Sequence, residues 1–477
     1  MARNSQPILI RNAEVWNLGQ RDVLISQGRI ARIGKDIAFD TALVVDARRG
    51  ALLPGLHDHH IHLAGEAVRH ASVYCGPPDV KTSDHLTNAL QRAPGSGWIR
   101  AIGYHESVMG GLPTARELDR IVSYRPLRMQ HRSGRMWLLN SAALEELLKL
   151  APAPPGLERD GYGFTGHLFD EDDWLRATLG STPPNFSVLS ARLATSGVTG
   201  LTDMSPHNGP EMARHFASEA HRGALVQNCM LAGSVDLSAA PAQGWTLGPV
   251  KLHLLEADLP SFDDAVCLVA RAHHGGRAVA IHCVSEVELV FALAVLEQAG
   301  VQAGDRIEHA SVTPPPQLAQ IAEMGLSVCT QPHFLTERGD QYLTDVEPRL
   351  LGDLYRLKSF AEAGIAIAGG SDAPFGSADP WAAMRAAVSR RTRSGNVIGA
   401  AEALSPEEAL GLYLASPDDL TQQRAIEPGA PADLCLLDRP WSQARETLCA
   451  DDVRMTIISG RVVHDGVDQS PVERAAS

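Results

Sequence analysis

The amino-acid sequence predicts an α/β fold: a (β/α)8 TIM barrel, a small β-sandwich domain built from both chain ends, and a long insertion after the first barrel strand. Three observations predict it. Residues 52–424 carry eight short apolar runs, several followed by helix-period patterns, and this alternation builds a parallel sheet. Both chain ends are strand-rich, yet neither is long enough to form a stable sheet alone. The gap from Ala64 to about Ser190 is too long for a loop without structure of its own.

Taken in order, residues 1–51 form the N-terminal part of the β-domain. Ile8 to Val15, Val23 to Ile33 and Ala42 to Asp46 are rich in β-branched residues, with a tight turn at Gln27-Gly28. Leu52–His62 is the first barrel strand. The insertion, about 64–190, is broken by Pro77-Pro78, Pro152 to Pro155 and Pro183-Pro184, and is rich in aromatics such as Trp98, Trp137 and Trp174. Catalytic sites in such barrels sit at the C-terminal strand ends, so the insertion is expected to roof the pocket while most of its aromatics fill its own core. The remaining strands are Val198–Met204, Ala224–Leu231, Val250–Leu255, Ala278–Cys283, Arg306–His309, Leu326–Thr330 and Ile365–Gly369. A helix over Val287 to Leu296 stops at Gly300. Residues 425–477, with strands at Ala432–Leu437 and Met455–Val463, complete the β-domain.

Composition narrows the function classes. The 477 residues hold 42 Lys and Arg against 56 Asp and Glu, a net charge of −14, which argues against a nucleic-acid footprint. The seven cysteines form no C-x-x-C pair and fit reduced thiols of a cytoplasmic protein. No stretch reads as a signal segment or a membrane span. A small-molecule substrate is the expected partner, with a homodimer left open.

Chemistry concentrates at strand ends. Leu53-Pro54-Gly55-Leu56-His57-Asp58-His59-His60-Ile61-His62-Leu63 places His60 and His62 two apart on an extended strand, on one face and within reach of one metal ion. Lys251, His282, His309 and Asp372 recur at the ends of later apolar runs, about one βα unit apart from Lys251 to His309. A lysine or aspartate in such a run is costly to bury unpaired, and a Lys251–Asp372 ion pair is the competing explanation. Asp58 is expected to orient its strand by hydrogen bonding, and His57 and His59 to alternate away from the ligand pair. Neutral imidazoles and a carboxylate suit a borderline divalent ion such as Zn2+, though the ligands alone do not identify the metal.

These residues resemble the amidohydrolase superfamily and, within it, the YtcJ-like or N-substituted formamide deformylase-like branch (amidohydrolase family 3). The resemblance spans nearly the whole chain. It includes Pro54-Gly55 before His60-x-His62, Gly197-Val198-Thr199, Val250-Lys251-Leu252, His282, Glu308-His309, Gly370-Ser371-Asp372-Ala373-Pro374 and Asn140-Ser141-Ala142-Ala143-Leu144. It implies that His60 and His62 bind the more buried metal with Asp372, that His282 and His309 bind a second, and that Lys251 bridges both as an N-carboxylated lysine. The chain departs from the branch in carrying Ser133-Gly134-Arg135-Met136-Trp137, where Asp-Gly-His before a Trp is common, and in having His57 and His59. Arg135, with His131 and Trp137, is therefore expected to bind substrate, pairing with a carboxylate. The alternative is an ion pair with an acidic residue of the insertion, Glu171 or Asp172 for example.

The expected activity is metal-dependent hydrolysis of a C–N bond in an amide, N-formyl, carbamate or cyclic amide, with Asp372 moving the proton. Ester or lactone hydrolysis and decarboxylation are alternatives on the same site. A non-catalytic barrel used for binding or assembly would be marked by a missing ligand, and every expected ligand type is present.

Overall fold

A computed structural model describes residues 6–39, 41–77, 79–180, 183–238 and 244–466. Pro78 and the first and last residues of the expected β-domain (1–5 and 467–477) lie outside that set. The chain divides into two compact units, Ala64–Pro184 and the remainder.

The larger unit contains the barrel. Eight strands pair in parallel, in chain order: Leu56–Ile61, Val198–Asp203, Asn228–Gly233, Trp245–Leu252, Val279–Cys283, Arg306–His309, Ser327–Thr330 and Ile367–Gly369. They are buried along nearly their whole length, as strands covered on both faces must be, which explains their apolar runs. The ring closes just beyond the strands, where Asp372 N donates to His60 O (2.6 Å) and His62 N to Ala373 O (2.8 Å). That approach requires Gly370, since a Cβ there would lie 2.4 Å from the Cβ of His60.

The segment read as one strand over Leu52–His62 is two. Ala51–Pro54 joins the terminal sheet and Leu56–Ile61 opens the barrel. The break falls at Gly55, where a side chain would collide with Thr199 at 2.2 Å. The third strand lies at Asn228–Gly233 rather than Ala224–Leu231, because Ala224 and Leu225 both donate backbone N–H groups to Glu219 O and so finish the preceding helix. The fourth starts at Trp245, ahead of the expected Val250.

Both chain ends meet in one eight-stranded sheet, in which Ala51–Pro54 pairs with Ile8–Val15 on one side and Leu434–Leu437 on the other. Alternate residues of both halves, including Ile8, Ile10, Val23, Leu434, Leu436 and Ile457, share one core. The turn at Gln27-Gly28 has φ of 53° and 77°, the left-handed pair a tight hairpin needs. The expected helix before Gly300 runs Glu286–Ala299, opened by a capping box between Ser285 and Glu288.

The smaller unit has a six-stranded mixed sheet of its own and two apolar cores. Trp98, Trp137, Phe164 and Trp174 belong to one of them, whereas Tyr124 and Tyr162 are exposed. Asn140 is buried because all its polar atoms are engaged. Its Oδ1 accepts from Ala143 N and Leu127 N, and its Nδ2 donates to Val122 O and Arg125 O. Among the described residues, no helix is long and apolar enough to cross a membrane. The cysteines are free, and five of the seven are buried.

Candidate metal centre

His60 ends the first barrel strand, His62 follows it, and Asp372 lies in the loop after the eighth. The Nε2 atoms of His60 and His62 stand 3.4 and 3.1 Å from Asp372 Oδ1, and the three ligand atoms all fall within 4.8 Å of one another. His309 and Asp372 adopt left-handed backbone angles, φ 68° and 51°. Such conformations cost about 1–3 kcal/mol each and cluster at functional sites, where the surroundings hold them in place.

Three of the four expected ligand imidazoles are oriented through Nδ1. His60 Nδ1 lies 2.5 Å from Glu308 Oε2, His309 Nδ1 lies 2.8 Å from Gln331 Oε1, and His62 Nδ1 lies 3.2 Å from Ser205 Oγ. The first two partners are acceptors, so Nδ1 carries the proton and the Nε2 lone pair is left for a metal. His60 Nε2 is buried and has no hydrogen-bond partner among the described residues. Burial first, then the neighbouring Lys251 and His62, holds His60 well below the usual histidine range. Burial likewise lowers His309, reinforced by His60, and lowers His282 to about 3, reinforced by Lys251. The rings are thus neutral at neutral pH, as metal ligands must be.

Lys251, on the fourth strand, is buried, and its Nζ has no hydrogen-bond partner. Nor does it form an ion pair with Asp372 among the described residues. Burial lowers its pKa, against the pull of Glu308 and Asp372. His282 ends the fifth strand, its ring centroid 4.4 Å from that of His309. All six expected ligands therefore belong to the larger unit, at the C-terminal ends of strands one, four, five, six and eight. The buried His60 Nε2, beside His62 and the Asp372 carboxylate, fits a cationic metal, and Lys251 fits one only once it carries no ammonium charge.

Asp58 orients its strand, Oδ1 accepting from His60 N at 3.1 Å and Ser371 N at 2.9 Å. His57 bonds Thr202 Oγ1 at 2.9 Å, and its ring lies 4.5 Å from that of His59. Residues not singled out from the sequence complete the site. Glu308 is fully buried between His60 and Arg306, whose Nε donates to Glu308 Oε1 at 2.6 Å and whose Nη2 donates to His59 O. Arg306 and Glu308 two apart on an apolar strand were a legible signal of a buried pair. Gln331, Ser205 and His253 carried no such signal.

The three residues expected to bind substrate lie in the smaller unit. Arg135 makes a bidentate pair with Asp170, Nε to Oδ1 at 2.8 Å and Nη2 to Oδ2 at 2.6 Å, and its side chain is 76% exposed. His131 is held between Glu106 Oε2 (3.2 Å) and Ser133 Oγ (2.8 Å). Trp137 is buried, donates to Asp172 Oδ1 at 2.9 Å and carries the guanidiniums of Arg100 and Arg128 against its ring.

Comparison with known proteins gives concordant results. Residues 43–464 match the amidohydrolase family. The chain is 27% identical to an N-substituted formamide deformylase of Arthrobacter pascens, over 90% of this chain and 92% of the relative, and 24% identical to YtcJ of Bacillus subtilis, over 93% and 94%. An uncharacterized metal-dependent hydrolase from Pyrococcus horikoshii superposes with a TM-score of 0.75 at 22% identity, covering 91% of this chain and 97% of that one, a likeness of fold.

Proposed function

The chain belongs to the amidohydrolase family, and on that premise we propose that it hydrolyses the carbonyl carbon–nitrogen bond of a small amide, with one or two divalent ions, zinc foremost, held by His60, His62, Lys251, His282, His309 and Asp372. It is a metal-dependent hydrolase; the bond and the residue roles are the proposal. One observation carries it: His60 Nε2, His62 Nε2 and Asp372 Oδ1 converge, while the buried His60 Nε2 and Lys251 Nζ have no hydrogen-bond partner among the described residues.

A bound divalent ion lowers the pKa of water to about 7 and polarises a carbonyl. The chain's own groups do the rest. Asp372 Oδ1, beside both imidazoles, accepts the proton of the attacking water and returns it to the departing nitrogen, which leaves as an amine. Glu308 and Gln331 hold the Nδ1 protons of His60 and His309, so neither ring can turn its free nitrogen away. A lysine ammonium cannot be a ligand. A neutral amine, favoured by the burial of Lys251, can be carboxylated and would then offer two oxygens. The N-substituted formamide acted on by the Arthrobacter pascens relative favours an N-formyl or related amide.

The test is a hydrolysis panel of N-formyl, N-acyl, carbamate, cyclic amide and lactone compounds on zinc-loaded protein. Release of amine from at least one amide is expected. Turnover of lactones alone would overturn the choice of bond.

A further inference from the structure

Six rings form a continuous arc across the C-terminal strand ends. Successive centroids lie 4.6 Å apart from His253 to His282, 4.4 Å from His282 to His309, 4.8 Å from His309 to His60, 5.3 Å from His60 to His62 and 5.7 Å from His62 to Phe375. The four inner members are the histidines assigned above to metal. The two end members are not, and both are exposed.

Phe375 is 61% exposed, yet its backbone is fixed from two sides. Its N donates to Asp372 O at 2.8 Å, and Arg338 Nη2 donates to its carbonyl at 2.5 Å. Its ring packs edge-on against His62 and so offers an apolar surface directly beside the candidate metal site. At the other end, His253 follows the fourth strand between buried Leu252 and Leu254, with its ring nearly perpendicular to that of His282. No hydrogen bond engages that imidazole among the described residues. It is therefore an open donor next to the reacting centre, beside His282, which is likewise without a hydrogen bond among the described residues but is assigned above to metal.

We propose that His253 and Phe375 grip the substrate from the two ends of this arc, His253 donating its N–H to the carbonyl oxygen as charge develops there, and Phe375 forming the wall for an apolar, flat nitrogen substituent. The pair would select amides carrying an aryl or similar group over small ones. This assignment rests on the hydrolase reading above.

Methylphosphonate and phenylphosphonate serve as probes, because each presents tetrahedral oxyanion oxygens and only the second carries a ring. Their dissociation constants are measured by calorimetry on the zinc-loaded full chain and on three variants, with zinc content determined for each. His253→Phe keeps a ring against His282 but removes the donor, and should weaken both phosphonates about tenfold or more, the scale of one hydrogen bond to a charged group. His253→Gln retains a donor and should recover at least half of that loss on a logarithmic scale. Phe375→Ala should weaken phenylphosphonate about three- to tenfold and leave methylphosphonate within twofold. Zinc content should equal wild type in all three. Binding unchanged by His253→Phe, equal losses for both probes in Phe375→Ala, wild-type protein that holds zinc but neither phosphonate, or zinc lost with His253→Phe would each overturn the assignment. Wild-type protein that takes up no zinc would instead overturn the metal-centre reading beneath it.

Discussion

Histidines occur in both units, and they are used in opposite ways. In the smaller unit two of them have both ring nitrogens engaged. His131 lies between Glu106 and Ser133, and His167 between Glu158 Oε2 and Pro113 O. At the barrel strand ends His60, His62 and His309 each have Nδ1 fixed, and among the described residues the buried His60 Nε2 has no hydrogen-bond partner. A buried polar atom without a partner costs about 1–3 kcal/mol. His60 Nε2 bears that cost where it faces His62 and Asp372, an arrangement suited to a metal ligand. Arg135 is neutralised by Asp170, whereas Lys251 Nζ has no hydrogen-bond partner among the described residues.

The sharpest way to break this contrast is at Asp372. Asp372→Asn should leave the fold intact, since asparagine tolerates the left-handed angle, but cost about 10²–10⁴-fold in turnover of the best amide in the panel. Near-wild-type turnover would remove Asp372 as the proton carrier. Glu308→Gln comes next. It removes the charge that holds the His60 Nδ1 proton and should weaken metal affinity about 10–100-fold, read by competition with a chromophoric chelator. Unchanged affinity would make Glu308 merely a partner for Arg306.

Acid should expose the cost of the buried imidazoles. Burial holds His57, His59 and His309 well below 6.5 and lowers His333 to about 4. The unfolded chain takes up protons near 6.5 and the folded chain does not, so their contribution is complete above pH 6.5 and is lost as pH falls from there towards about 4. Urea midpoints of metal-free protein should fall over that window. A flat profile between pH 7 and 4.5 would contradict the neutral, buried state of these rings. The smallest effect is expected at Arg135. With Asp170 already holding its guanidinium at an exposed position, Arg135→Lys should change KM less than twofold for acidic and neutral amides alike. A selective rise for acidic substrates would place Arg135 in the substrate site expected from its sequence context.

Much of this was legible because barrel strands are buried on both faces. Their sequences are unbroken apolar runs, so His60, Lys251, His282, His309 and Asp372 stand out as interruptions. What escaped has physical reasons. Leu52–His62 reads as one strand because nothing in it announces that Gly55 must bend away from Thr199. Ala224 and Leu225 are apolar, but they close a helix rather than open a strand. Gln331 and Ser205 are ordinary polar residues until the fold brings them to His309 and His62. His253 sits unremarked beside Lys251 in its apolar run, and only the ring beside His282 gives it a role.

The most direct measurement is the metal content of protein purified without chelator, set beside the double variant His60→Ala, His62→Ala. One or two equivalents of divalent ion per chain are expected in the first, falling by at least half in the second, with the fold retained by circular dichroism. Well under one equivalent in the wild type, unchanged when both histidines are removed, would contradict the metal centre.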